Sequence, residues 1–191
     1  MLALCLQRKM KLKLLQHSSV SINSIYYFED FLEDNDYLNH LSEKVKNYTT
    51  IDEMQRTTNV KASMTNYLKL LEDTDFNLIH KKILQYLDII WSLRSPTPNE
   101  VNISIINSWG IKHSKGDYTL PHVHNCSFSG AFYLKVPETS YLWFEEYNRL
   151  LPLKENMLVL FPGLTKHSAF EHTHEEARLS MAFNISLTDN R

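Results

Sequence analysis

Apolar residues recur three and four positions apart through the first half of the chain and at every second position through the second half. Phe28, Phe31 and Leu32, then Tyr37, Leu38, Leu41 and Val45, predict an extended entry from about Ile25 and an amphipathic helix reaching Tyr48. The acidic stretch Glu29 to Asp36 marks the first turns of that helix or a short break. Tyr67, Leu68, Leu70 and Leu71 predict a second helical region. Phe76, Ile79, Ile83, Leu84, Leu87, Ile90 and Trp91 predict a third, ending near Ser95-Pro96. Thr57 to Ser63, between the first and second, is polar and carries no assignment.

The texture changes after Pro96-Thr97-Pro98. Val101 to Ile105 alternates with period two, and Ser127 to Val136, Tyr141 to Glu145, Met157 to Phe161 and Leu179 to Leu187 are further short strand candidates. Helices first and strands second, with turn residues between the strands, predict an α+β chain that is mainly β. A closed or sandwiched antiparallel sheet would carry the helices on one outer face. No internal repeat or low-complexity segment is visible.

With 191 residues the chain suits one domain better than two: a tail and extended entry over 1–24, helical support over 25–98 and a β core over 99–191. The apolar share is 43% and the formal charge −2, which argues against a disordered chain and weakens a nucleic-acid partner without removing it. Cys5 and Cys126 are the only cysteines. A disulfide framework is therefore not expected, and a cytoplasmic, reducing setting is. The opening Met1 to Leu6 is apolar, but Arg8, Lys9, Lys11 and Lys13 follow it, the reverse of a secretory signal, and Met10 is an alternative start. No membrane span is expected, and nothing in the sequence sets the oligomeric state.

Chemistry concentrates late in the chain. His122 and His124 are two apart, so on a strand they project to one face and can address one metal ion. His167, after the apolar run Met157 to Phe161 and a Pro162-Gly163 turn, is positioned to return from a neighbouring strand as a third ligand. Arg178 and Ser180 share a strand face, pairing a guanidinium fork with a hydroxyl, a set suited to a buried dicarboxylate; the alternative for Arg178 is a surface salt bridge. Tyr118 and Tyr133 can each donate a phenolic hydrogen bond to a bound co-substrate. Asn107 and Asn184 are candidate pocket residues. His113, His172 and His174 complicate a metal count, the last two lying in a polar stretch that reads as a solvated loop. Cys126 reads as a small strand residue rather than a thiolate ligand.

Ser108-Trp109, Gly116-Asp117-Tyr118, Pro121-His122-Val123-His124, Ser129 to Leu134, Phe161-Pro162-Gly163, His167 and Arg178 to Asn184 together resemble the 2-oxoglutarate and Fe(II)-dependent oxygenases. Within them the match is to a small group common in marine phages and bacteria; it covers about 102–187. The resemblance implies a double-stranded β-helix, or jelly roll, with flanking helices. It implies Fe(II) bound by His122 and His167, and 2-oxoglutarate held at its distal carboxylate by Arg178 and Ser180. The implied activity is hydroxylation of an unidentified substrate by dioxygen with release of succinate and CO2, in the host cytoplasm if the chain is phage-encoded. Most members carry an acidic residue two positions after the first histidine, where this chain has His124; Asp117 is the alternative second ligand. The histidines also resemble the cupin motifs, without the usual glutamate, since Phe128 and Ser129 occupy its region. That leaves two rivals: a three-histidine cupin dioxygenase working without 2-oxoglutarate, and a jelly-roll metal-binding protein without turnover.

Overall fold

The computed structural model describes residues 12–14, 24–51, 58–94, 101–137 and 140–189. Thr57 at the head of the polar stretch, the Pro-rich junction and most of the basic tail, with Cys5 and Met10, lie outside them. Strands β1 (Leu12–Leu14) and β2 (Tyr26–Phe28) precede helix α1 (Asn35–Ile51). β3 (Val60–Lys61), β4 (Ser63–Met64), the single turn α2 (Lys69–Glu72) and α3 (Asn77–Arg94) follow. The remainder is β5 (Val101–His113), β6 (Tyr118–His122), β7 (Phe128–Lys135), β8 (Tyr141–Phe144), β9 (Arg149–Pro152), β10 (Met157–Pro162), β11 (His167–Ala169) and β12 (Arg178–Asp189).

The strands form two antiparallel sheets, one in the order β1-β2-β10-β7-β12-β5-β4 and the other β3-β6-β11-β8-β9. Alternation distributes their side chains between two cores. On the larger sheet Phe132, Leu158, Leu160, Met181 and Phe183 face α1 and α3, meeting Leu41, Val45, Phe76, Ile79, Ile83 and Leu87. The intervening residues Tyr133, Met157, Val159 and Phe161 meet Leu142, Phe144 and Leu151 of the smaller sheet. Both faces of β10 are thus buried, which explains its unbroken apolar run.

The helices begin where local chemistry lets them. The Asp34 carboxylate accepts from the Tyr37 amide at the start of α1, so the acidic stretch is a break and cap through Asp34 and enters the first turn at Asp36. Asp30 there has φ 51°, which a helix does not tolerate. The expected second helix shortens to one turn. Two strands, β3 and β4, occupy most of the stretch left unassigned and β9 has no counterpart in the sequence pattern, while β6 and β11 are the strands expected to carry His122 and His167. These segments are short and draw their pairing from the rest of the sheet rather than from their own pattern. Leu12–Leu14, expected in the tail, pairs with β2.

Two irregularities place the site. On β5 and β12 the register shifts between Asn184 and Ile185, whose partners are Asn107 and Ile105. The extra residue, Ile106, is 42% exposed. Ile103 and Ile105 therefore face the helices while Trp109, Ile111 and His113 face the second sheet. On β6 the partners of His167 and Ala169 are His122 and Thr119, three residues against two. Leu120 and Pro121 absorb the surplus, both on the exposed side, and Pro121 has no N–H to lose from the ladder.

Candidate metal and co-substrate site

The β6 bulge decides where His122 points. Regular alternation from the cavity-lining Thr119 would send residue 122 outward; the surplus residue turns it back toward the cavity. His167 is its direct partner across β6 and β11. His124 arrives differently from its sequence expectation, because β6 ends at His122 and the next two residues leave the strand. Its backbone N–H donates to the Gly163 carbonyl at 2.8 Å, and Gly163 N–H donates to Ser127 O at 3.2 Å, which ties the loop after β6 to the turn after β10. Gly163 is required there. A Cβ would stand 2.2 Å from Cys126 O and 2.8 Å from His124 O, both backbone atoms.

The three imidazoles converge, with one ring nitrogen from each lying within 4.8 Å of the others. Their ring centroids are 4.9 Å apart for His122 and His124, 4.4 Å for His122 and His167, and 5.2 Å for His124 and His167. Two of the rings have their tautomer set. His122 Nδ1 lies 2.8 Å from Leu120 O and His167 Nδ1 lies 2.9 Å from Thr165 O. A carbonyl only accepts, so each Nδ1 carries the proton and each Nε2 keeps its lone pair for a ligand. Burial holds all three below the ordinary histidine value, His124 at about 4 and His167 at about 3, with the neighbouring imidazoles adding to the effect at His124 and His167. At neutral pH the cluster is three uncharged nitrogen donors, the form that binds a transition metal.

Beside the cluster lies a cavity lined from both sheets. Arg178, Ser180 and Tyr133 line it together with His113 and Thr119. Arg178 is only 3% exposed, its Nε has no partner, and among the described residues it makes no ion pair, so the surface salt bridge is not found. An unpaired guanidinium in a water-poor pocket is costly, and an anionic ligand is the natural remedy. Tyr133 is buried beside it, and burial pushes its hydroxyl up to about 12, so it remains a donor. Ser180 is buried two residues along β12.

Other candidates fall elsewhere. Tyr118 is 40% exposed on the outer side of β6 and is not among the cavity-lining residues. Asp117 does not join the histidines. Its carboxylate accepts from Ser114 N–H at 2.8 Å within a tight turn, whose Gly116 has φ 87°. His172, expected in a solvated loop, is 3% exposed; its Nε2 donates to Glu176 O and its N–H to Asp117 O, which packs the loop before β12 against that turn. Cys126 sits half-buried in a bend rather than a strand, its thiol donating to Phe128 O. Asn184 donates to Asn107 at 3.3 Å, and both line an outer groove with Tyr67, Trp109, Asn125, His122 and His124. Thr119 and the cavity role of His113 were not foreseen, and the sequence pattern shows Gly163 only as part of a turn. The one sequence sign of Thr119 is the nearby Pro121.

No family model matches the chain, and no curated protein does. Solved structures do. The viral collagen prolyl hydroxylase of Paramecium Bursaria Chlorella virus-1, in complex with 2-oxoglutarate, is 14% identical over 84% of this chain and 94% of its own, with TM-score 0.63. A prolyl-4-hydroxylase from Pseudomonas putida is 12% identical over 84% and 91%, with TM-score 0.64. The non-heme α-ketoglutarate-dependent epimerase SnoN from nogalamycin biosynthesis, in a complex with Fe3+ and α-ketoglutarate, is 13% identical over 87% and 81%, with TM-score 0.68. At these identities the likeness is one of fold, and the fold is that of 2-oxoglutarate-dependent oxygenases.

Proposed function

We propose that this chain is a 2-oxoglutarate- and Fe(II)-dependent dioxygenase that hydroxylates a substrate C–H bond, with the two sheets as the leaves of one double-stranded β-helix domain. The observation that carries the reading is one cavity lined both by three neutral, converging imidazoles and by an unpaired buried arginine. A three-histidine enzyme working without 2-oxoglutarate, or a protein that only stores metal, gives no reason to bury that cation.

The residues present fit the group. His122, His124 and His167 would hold the metal through three uncharged nitrogens, leaving other positions open to small molecules. Iron bound there supplies the activation of dioxygen that couples conversion of 2-oxoglutarate to succinate and CO2 with substrate hydroxylation. Arg178 and Ser180 bind the distal carboxylate, and Tyr133 adds a phenolic donor. Leu120 O and Thr165 O orient two ligand rings, while Phe144 and Phe161, packed around His167, keep bulk water from that side. The groove along Tyr67, Asn107, Asn125 and Asn184 reaches His122 and His124 from outside and is the side from which substrate approaches. Among the described residues no helix is long and apolar enough to cross a membrane. A cytoplasmic setting, the host's if the chain is phage-encoded, fits the cysteine usage.

The test is an anaerobic titration of metal-free protein with Fe(II) and then 2-oxoglutarate, following the weak visible charge-transfer band of a chelated 2-oxo acid. The band is expected only after both additions. Iron binding without a band would favour the three-histidine cupin reading, and no iron binding would favour the jelly-roll binding protein without turnover.

A further inference from the structure

Across the β5–β12 ladder the direct partner of Arg178 is His113. It is 3% exposed, lines the same cavity, and places its Nε2 3.0 Å from the Thr119 hydroxyl, another lining group. Its Nδ1 is buried and has no partner. Burial and the Arg178 charge keep the ring neutral. Between them a neutral imidazole and a hydroxyl own two mobile hydrogens, and their mutual bond uses one. If Nε2–H donates to Thr119, the threonine O–H is left over; if Thr119 donates to Nε2, the leftover is His113 Nδ1–H. Either tautomer leaves one donor uncommitted beside Arg178.

A carboxylate has about four lone-pair sites to satisfy when it leaves water. Arg178, Ser180 and Tyr133 supply donors from β12 and β7. β5 and β6 also line the cavity, and besides Trp109 and the candidate ligand His122 their polar side chains there are His113 and Thr119. We infer that His113 and Thr119 act as one hydrogen-bonding unit that completes the anchor for the distal carboxylate of the co-substrate. This rests on the 2-oxoglutarate reading above. It makes the anchor span both sheets, since Thr119 belongs to the smaller one and Arg178 to the larger.

The test compares 2-oxoglutarate with pyruvate, a 2-oxo acid without a distal carboxylate, on anaerobic Fe(II)-loaded protein, reading Kd from the charge-transfer band. Thr119→Val and His113→Phe are each expected to weaken 2-oxoglutarate about tenfold, and the double variant to weaken it no further. Fe(II) affinity and pyruvate affinity stay at the wild-type level, and Thr119→Ser recovers 2-oxoglutarate binding. Thr119→Val keeps a β-branched residue on a paired strand, so it gives an answer even if His113→Phe fails to fold. Unchanged 2-oxoglutarate affinity in Thr119→Val, or an equal loss for pyruvate, overturns the inference alone. Failure of the wild-type protein to bind 2-oxoglutarate overturns the co-substrate reading beneath it.

Discussion

His122 and His167 are cross-strand partners, and each has its Nδ1 fixed by the carbonyl two residues before it, Leu120 for one and Thr165 for the other. Two local hydrogen bonds thus set both tautomers with no second side chain. Orientation of the rings is a property of the backbone turns that precede them, and metal affinity should depend on those turns as much as on the rings.

Removing a ring is the direct check. His167→Ala should abolish Fe(II) binding and succinate formation, since the two remaining imidazoles cannot hold a facial site. His124→Asp should keep iron bound, because a carboxylate at that corner replaces one nitrogen donor and lowers the site's charge. Equilibrium dialysis of Fe(II) under anaerobic conditions reads both; iron retained by His167→Ala counts against the cluster.

Arg178→Met separates binding from stability. The loss of charge-assisted hydrogen bonds should weaken 2-oxoglutarate on the order of 100-fold. The metal-free protein should be as stable as wild type or more so, since an unpaired buried cation is removed and its volume filled. A thermal melt without ligand and a 2-oxoglutarate titration together test it. A variant that melts much earlier while binding normally would contradict the unpaired state of the guanidinium.

At Gly163 a single methyl group has nowhere to go, because the atoms it would meet are backbone. Gly163→Ala should cost about 3 kcal/mol in urea unfolding and lower iron affinity at least tenfold through displacement of His124. Leu164→Ala, at the 68% exposed neighbour, should do neither. Equal behaviour of the two variants would remove the glycine from the argument.

Acid should destabilise the metal-free fold in a defined window. His80 bonds Ser108 beneath α3, and burial lowers it to about 4 from the ordinary 6.5. Between these values the unfolded chain takes up a proton that the folded one refuses. The contribution is complete above about pH 6.5, falls on acidification and levels off below about pH 4. For His80 it is on the order of 3 kcal/mol. Urea midpoints at pH 7 and pH 5 measure it, and His80→Gln should shrink the difference by that share, leaving the part due to the other histidines lowered by burial, His113, His122, His124 and His167.

The histidine cluster and the Arg178-Ser180 pair were legible in the sequence because each depends on two-residue spacing, which alternation converts directly into a shared face. His122 and His124 were read as same-face residues of one strand, yet they meet because a bulge turns one and Gly163 holds the other. Nothing in the local pattern announces a bulge, since its cause is the register demanded by β11; Pro121 is the only trace. Long amphipathic segments such as α3 were placed to within a few residues. β3, β4 and β11 are two or three residues long, too short to carry a period. His172 misled for a related reason, as its polar neighbours face solvent while it alone turns inward to hold the 114–117 turn.

The surplus residue in β6 also makes one point in the gene tolerant of loss. A deletion of one residue between Thr119 and His122 would leave the two at a spacing of two, restore regular pleating opposite Ser168, and keep the imidazole on the cavity side with the ladders on either side intact. Such a chain should express, refold and still take up iron. A shortening of this stretch by one residue would therefore pass a screen for solubility and a screen for metal alike.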